Sequence, residues 1–570
     1  MTKQELANLL GINKGHIKVE SNKFKIFDIA IKEIDAKLWL KDIEIEFWRC
    51  SFEKVLVFPQ RKSDKGLSIR AKILFQDCSF KDFFNARSCI FERDFECRAC
   101  DFEGRVDFSR AEFKGRVNFC ASQFKNKARF IETKFQAQAT TDEAIENNFK
   151  ETQFEGKADF SRAEFKGRVN FSISRFKNEA SFIKTKFQAQ ATTDKIIENN
   201  FRATQFEGST SFDGAEFIGR VNFSISRFKN EARFIKTKFQ AQATTDKAIK
   251  NDFRETQFEG DALFASNNFS GRTSFVMAKF LKDALWFDIT FNQVSFKKTI
   301  FEASSTWQNV TFKEKVEFKN VVFQKSNFSE AKFIRDAEFD GVIFKDLTSF
   351  YKTHFYQKAN FQGSIFGGIT SFDQTNFATK PDFLNCTFSN QFNIKHQYLQ
   401  YEYDDIVNEV NEEKEEKEEK EEKEEKEEKE AKEEKEEKEA KEEKEEKEEK
   451  EEKEEKEEKE EKEEKEEKDP QIKDNPSLWR DLFRRLKSNR LAYHNLIDAS
   501  ELRVQELYAR EIELREKIKQ HQTQENKLSF KEKIEKWQLW FYRHTSDHHT
   551  DLAKIFNNVI LLIALFGIFT

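Results

Sequence analysis

Seven cysteines and eight histidines are the side chains in this 570-residue chain best suited to hold a metal or act as a nucleophile. Cys97 and Cys100, in "CRAC", have the spacing of a zinc or thiol–disulfide site. A zinc site of that kind needs a second pair, and none follows. Cys50, Cys78, Cys89, Cys100 and Cys386 each stand two residues before a Phe, where Ala, Ser, Thr or Val stands elsewhere, so they read as small core residues. His544, His548 and His549 with Asp547 could be drawn as a metal cluster, but among aromatic and basic neighbours they read as interfacial polar residues. There is no phosphate loop, no nucleophile elbow and no carboxylate pair distinct from the general charge. The expectation is a non-enzymatic protein without cofactor, metal or small-molecule substrate.

Charge and aromatic content are distributed unevenly. Residues 412–468 hold 36 Glu and 19 Lys, so the rest of the chain is net positive although the total is −6. Elsewhere 66 Phe dominate. From Phe102 the aromatics fall at Phe108, Phe113, Phe119, Phe124, Phe130 and Phe135, alternating steps of six and five, which fits neither a helix nor a flat strand. A small residue precedes each by two: Val106, Ala111, Val117, Ser122, Ala128, Thr133. Residues two apart in extended chain share a face, so each stretch turns one small and one large side chain inward and then rounds a corner. No such stretch buries its Phe alone, so coils must stack.

A longer period of 52 residues aligns Phe102, Phe154, Phe206 and Phe258, and likewise Phe108 with Phe160, Phe113 with Phe165, Phe119 with Phe171 and Ala111 with Ala163. Four sides to a coil make this period two coils of 22 residues plus an eight-residue insertion, "QAQATTDEAIENN" from Gln136 and its two later copies. Thr141 looks like the cap of a helical turn there. A row of three such bumps would suit a binding surface, but tandem duplication explains their near-identity equally well and is the preferred reading.

These residues resemble the pentapeptide-repeat family, in its Phe-centred variant, over roughly residues 45–392. The resemblance implies an all-β, right-handed quadrilateral β-helix. Some fourteen coils at about 4.8 Å would make a rod of roughly 65 Å. At Phe84/Ala86 and Phe95/Cys97 the large and small positions are exchanged, and Trp286 and Trp307 replace Phe.

Residues 1–44 read as an N-terminal cap, although "LANLLGINKGHI" also resembles the start of a helix-turn-helix. Residues 393–411 form a connector and 412–468 a Glu/Lys linker, helical or extended, without the apolar seam of a coiled coil despite its periodicity. Residues 469–550 read as a helical membrane-proximal region, with Leu478, Leu482 and Leu486 and then Leu502, Val504, Tyr508 and Ile512 as apolar faces. Weakly, this part is similar to the helical module of some membrane-bound pentapeptide proteins. Residues 552–570 form a hydrophobic, marginally long transmembrane or anchor helix carrying Val559, Leu561, Leu565 and Phe566, with Trp537 and Trp540 as an aromatic belt.

The preferred expectation is a scaffold tethered to the bacterial inner membrane, its bulk in the cytoplasm, serving an unidentified protein partner. One alternative is a DNA-mimicking inhibitor of gyrase, as the family resemblance allows. It requires a negative rod, whereas residues 1–411 carry about +8, so nucleic-acid mimicry is disfavoured. The other is the regulatory end of a truncated channel or transporter.

Overall fold

The computed structural model describes residues 1–20, 23–54, 56–57, 67–136, 146–188, 198–240, 251–408, 476–520, 529–548 and 552–569. The chain divides into two compact units, Met1–Ile394 and Lys395–Thr570.

The first unit is a β-solenoid of about 15 turns over residues 23–393. One coil shows how the five- and six-residue steps build it. Its four short strands are Asp101–Phe102, Val106–Asp107, Glu112–Phe113 and Val117–Asn118, and the next coil begins at Gln123. Each strand pairs in parallel with its equivalent a full turn on, 22 residues away for Asp101 and Gln123 and 30 for Gln123 and Gln153, where an insertion intervenes. At most five-residue steps the chain closes a tight turn, in which the Ala111 N–H donates to the Phe108 carbonyl at 2.9 Å and the Ser122 N–H to that of Phe119 at 3.2 Å. That turn needs a left-handed residue, so Asp77, Ser88, Ala99, Arg110, Ala121 and Glu132 take φ between 50° and 59°, one for every eleven residues. At six-residue steps the extra residue rounds a broader corner, and Gly104 sits there because a Cβ would lie 2.3 Å from the Asp82 carbonyl carbon one turn below. Where a five-residue step falls on a broad corner, as at Phe291–Phe296, the two sides merge into one strand, here Thr290–Ser295.

Parallel stacking in register puts like side chains over like. Phe102, Phe108, Phe113, Phe119, Phe154, Phe160, Phe165, Phe171, Ala111 and Ala163 are all completely buried. Phe102 lies flat on Phe124 at 4.7 Å and 1°. That column extends from Phe52 on Phe80 at one end to Phe366 on Phe388 at the other. Rings of different columns meet edge to face, as Phe119 and Phe130 do at 5.8 Å and 78°, the geometry favoured by the ring quadrupole. Phe84 and Ala86, like Phe95 and Cys97, are fully buried, and Phe84 takes the slot that Val106 fills one turn on.

The N-terminus differs from the helix-turn-helix resemblance. Helix α1 (Lys3–Leu10) has a Thr2/Glu5 capping box and ends on Gly11 at φ 61°. It leads into a short 3₁₀ turn, Lys14–His16, and a strand, Ile17–Glu20, instead of a second helix. This strand runs antiparallel to Lys23–Phe27, whose other edge pairs in parallel with Glu44–Trp48. It covers an edge that stacking alone leaves open. Coiling thus starts earlier than residue 45, where the Phe spacing becomes regular.

The second unit contains α2 (Pro476–Ala492), α3 (Leu496–Gln520), α4 (Phe530–Ser546) and α5 (Leu552–Phe569). Leu482 and Leu486 of α2 are buried with Trp479 and Phe483, as are Leu502, Tyr508 and Ile512 of α3, whereas Leu478 is half-buried. Residues 395–408 belong to the same unit. The Tyr401 ring meets Trp479 at 4.9 Å, Tyr403 meets Tyr508 at 5.9 Å, and the Arg543 guanidinium lies 3.9 Å over Tyr403. The Glu/Lys tract, 412–468, lies outside the described residues, but its flanks both belong to this unit. The expected transmembrane helix is corrected: no helix among the described residues is long and apolar enough to cross a membrane. Polar Lys554, Asn557 and Asn558 occupy the first turns of α5 and shorten its apolar run.

Candidate interaction surfaces

Hydroxyl and thiol side chains in the small slots bond the solenoid's own backbone. In the small slots, Thr133 Oγ1 donates to the Phe108 carbonyl at 2.8 Å, Ser122 Oγ to that of Cys97 at 2.7 Å, and Thr185 Oγ1 to that of Phe160 at 2.7 Å. The cysteines make the same bond: Cys100 Sγ donates to the Phe75 carbonyl at 3.3 Å and Cys386 Sγ to that of Phe361 at 3.0 Å. Both cysteines of "CRAC" are buried, and burial pushes the Cys97 and Cys100 thiols up. Such thiols are poor nucleophiles. Small size marked these positions in the sequence; their hydrogen-bonding role appears only when coils stack.

On the outside, charges pair from coil to coil. Lys81 reaches Glu103 at 2.7 Å, Lys125 reaches Asp101 at 2.6 Å, Glu132 lies between Arg110 and Arg162, and Lys238 reaches Glu216 at 2.7 Å. The Lys81 ammonium holds the Glu103 carboxyl below its usual range. Carboxylates neutralised in this way do not present the unpaired negative rows of a duplex mimic.

Residues 137–145, 189–197 and 241–250, which make up most of the three insertions and include the helical turn expected at Thr141, lie outside the described residues. Where the chain returns, Asn147, Asn199 and Asn251 are fully buried. Asn147 sits in a column between Val117 and Val169. Its Nδ2 donates to the carbonyls of Lys166 and Arg168, both at 3.2 Å, and Asn199 does the same to Arg220 at 3.2 Å. The amide side chain thus supplies donors for carbonyls of the next turn.

One outer column changes character along the solenoid. From Asp101 it runs through Gln123, Gln153, Arg175, Gln205, Arg227, Gln257 and Lys279, one residue per turn. It then becomes Ile300, Val322, Ile343 and Ile365. Beside it, at the adjoining corner, Leu347 and Ile369 are 52% and 42% exposed. A second apolar feature is Ile173 and Ile225, exposed β-branched residues held at φ 60° and 58°, a conformation that such side chains resist.

In the helical unit, Trp537 and Trp540 of α4 are 61% and 47% exposed and Val559 and Leu561 of α5 are 50% and 61% exposed, whereas the side chains of Leu565 and Phe566 lie outside the described residues. Among the described residues of the candidate His cluster, each makes other contacts. The His544 ring nitrogen Nδ1 lies 2.8 Å from the Trp540 carbonyl, Asp547 caps α4 and accepts from the Tyr508 hydroxyl, and His548 packs on Tyr508. His549 is outside the described residues. No group of three potential metal ligands occurs among those described.

Four short parallel strands per turn and a ring-filled interior define a quadrilateral β-solenoid. Its repeats match the family described as pentapeptide repeats (9 copies) over residues 149–196, 308–354 and 350–393. No curated protein sequence and no solved structure matches the chain.

Proposed function

We propose that this protein is a non-enzymatic interaction scaffold, tethered to a membrane by its helical unit, whose solenoid faces the cytosol and receives a protein partner along the strip Ile300–Val322–Ile343–Ile365. The strip is the observation that carries this reading. Elsewhere along that column the wall is polar, with charged neighbours paired, whereas here four consecutive turns present β-branched apolar side chains flanked by Leu347 and Ile369. A flat apolar face with a polar surround suits a partner that offers a ridge of apolar side chains. The match to that family agrees with a binding module but supplies no partner. The test is proximity labelling in native cells from the wild-type solenoid and from Ile343→Lys/Ile365→Lys, with thermal unfolding as the folding control. A partner labelled by the first and lost from the second supports the strip. An unchanged set of labelled proteins refutes it.

A further inference from the structure

Helix α4 carries an apolar face whose direction is fixed by what the opposite face holds. At 100° per residue, Phe530, Ile534, Trp537 and Phe541 fall within one narrow sector, and they are 80%, 42%, 61% and 41% exposed. Trp537 and Phe541 stack at 5.4 Å within it. The opposite sector is fastened to α3: Arg510 pairs with Glu535 at 2.9 Å, Arg543 with Glu511 at 2.9 Å, and Leu539 is buried.

The charges of α4 divide between the two faces. Glu535 is turned to Arg510, and Glu532 lies 3.7 Å from Lys517, so the carboxylates are on the α3 side. Lys531 and Lys533 remain exposed beside the aromatic sector. This arrangement complements an anionic, partly apolar layer: rings to enter it, ammonium groups to meet its headgroups, and acids withdrawn.

We infer that α4 is an in-plane membrane helix that lays Phe530, Ile534, Trp537 and Phe541 into the headgroup boundary of an anionic bilayer. This rests on the tethering reading above and assigns the attachment to α4, with no spanning segment required. Rigid docking on α3 fixes the helical unit's orientation to the surface.

The test is flotation of the full chain with vesicles of phosphatidylcholine containing phosphatidylglycerol, and with phosphatidylcholine alone. Wild type is expected to float with the first and to be released by salt. Trp537→Ser/Phe541→Ser, and separately Phe530→Ser/Ile534→Ser, should each lower the bound fraction by roughly tenfold, with helical circular dichroism unchanged. Ile560→Lys/Leu562→Lys in α5 should retain at least half of the wild-type binding. If the α5 variant alone loses binding, the tether stands and the in-plane assignment falls. If wild type binds neither vesicle, both fall. If the α4 variants float like wild type but change the sedimenting mass, the face joins copies of the chain and the assignment is overturned.

Discussion

Trp286 lies flat on Trp307, with ring centroids 4.7 Å apart and planes 3° from parallel. Both are fully buried, and neither indole N–H finds an acceptor among the described residues. The column therefore gains ring area at the expense of two unsatisfied donors. Trp307→Ala, which opens a cavity beneath Trp286, should lose about 3–5 kcal/mol in urea unfolding. Trp307→Phe removes the stranded donor and should stay within about 1.5 kcal/mol of wild type, in either direction. A loss for the Phe variant as large as for Ala would contradict this account.

The hydroxyl in the small slot can be tested at Thr185, whose Oγ1 donates to the Phe160 carbonyl at 2.7 Å. Thr185→Val keeps the shape and removes the bond, so the unfolding free energy should fall by about 1 kcal/mol. Thr185→Ser keeps the bond and forfeits a methyl. Equal midpoints for Val and wild type would show that the slot selects size alone.

Gly208 stands over Asn178 one turn below, and a Cβ there would sit 2.3 Å from backbone. Only a main-chain shift can relieve that contact. Gly208→Ala should cost about 1–3 kcal/mol, whereas an Ala at Gly11, where a Cβ meets nothing within 4 Å, pays only for its φ of 61°. Comparing the melting temperatures of the two variants separates close approach from backbone strain.

Burial pushes the Cys89 thiol up to about 12 and raises Cys97 and Cys100 as well. Below about pH 8.5 the thiols are protonated both folded and unfolded, and stability does not depend on them. Above it the unfolded chain releases protons that the folded chain retains, so stability must fall as pH rises. The denaturation midpoint should decline between pH 8 and 10, and less steeply in Cys89→Ala. Iodoacetamide at pH 8 should label half-buried Cys120 in the native protein before Cys97 or Cys100, as read by mass spectrometry.

The contact of Tyr401 with Trp479 brings the flanks of the Glu/Lys tract together. Removing residues 412–468 should leave the melting of the helical unit within a few degrees of wild type, because no described contact of α2 to α4 is lost. Trp479→Ala should lower it, with about 3–5 kcal/mol lost from a buried aromatic cluster. A collapse of the unit on tract deletion would show that the flanks are held by the tract itself.

The solenoid was legible because its period is written in one residue type. Phe at alternating five and six residues, with a small partner two before, sufficed to derive a stacked coil, while its four sides, and with them the length of its turn, came from the resemblance to pentapeptide repeats. The coil has two kinds of corner, a distinction that depends on φ at residues such as Arg110 and Glu132, whose identities carry no such signal. Asn147 looked like part of an inserted loop, and only the stacked turn shows its amide donating to the Lys166 and Arg168 carbonyls. The apolar strip was missed because each of its members is one ordinary residue per turn, and only stacking aligns them. The contact of Tyr401 with Trp479 was illegible for a similar reason: the two are far apart in sequence with a low-complexity tract between them. Hydrophobic content pointed to the last helix, yet the polar residues in its first turns leave too little apolar length.

The 52-residue spacing has a genetic consequence. Gln153, Gln205 and Gln257 occupy one column on one side of the wall, two turns apart. A DNA segment encoding one such unit therefore corresponds to complete revolutions of the polypeptide. Unequal crossing-over between copies would lengthen or shorten the protein without rotating anything downstream, and the distal half would keep its azimuth. An architecture of this kind can be resized by recombination while its functional surfaces stay aligned.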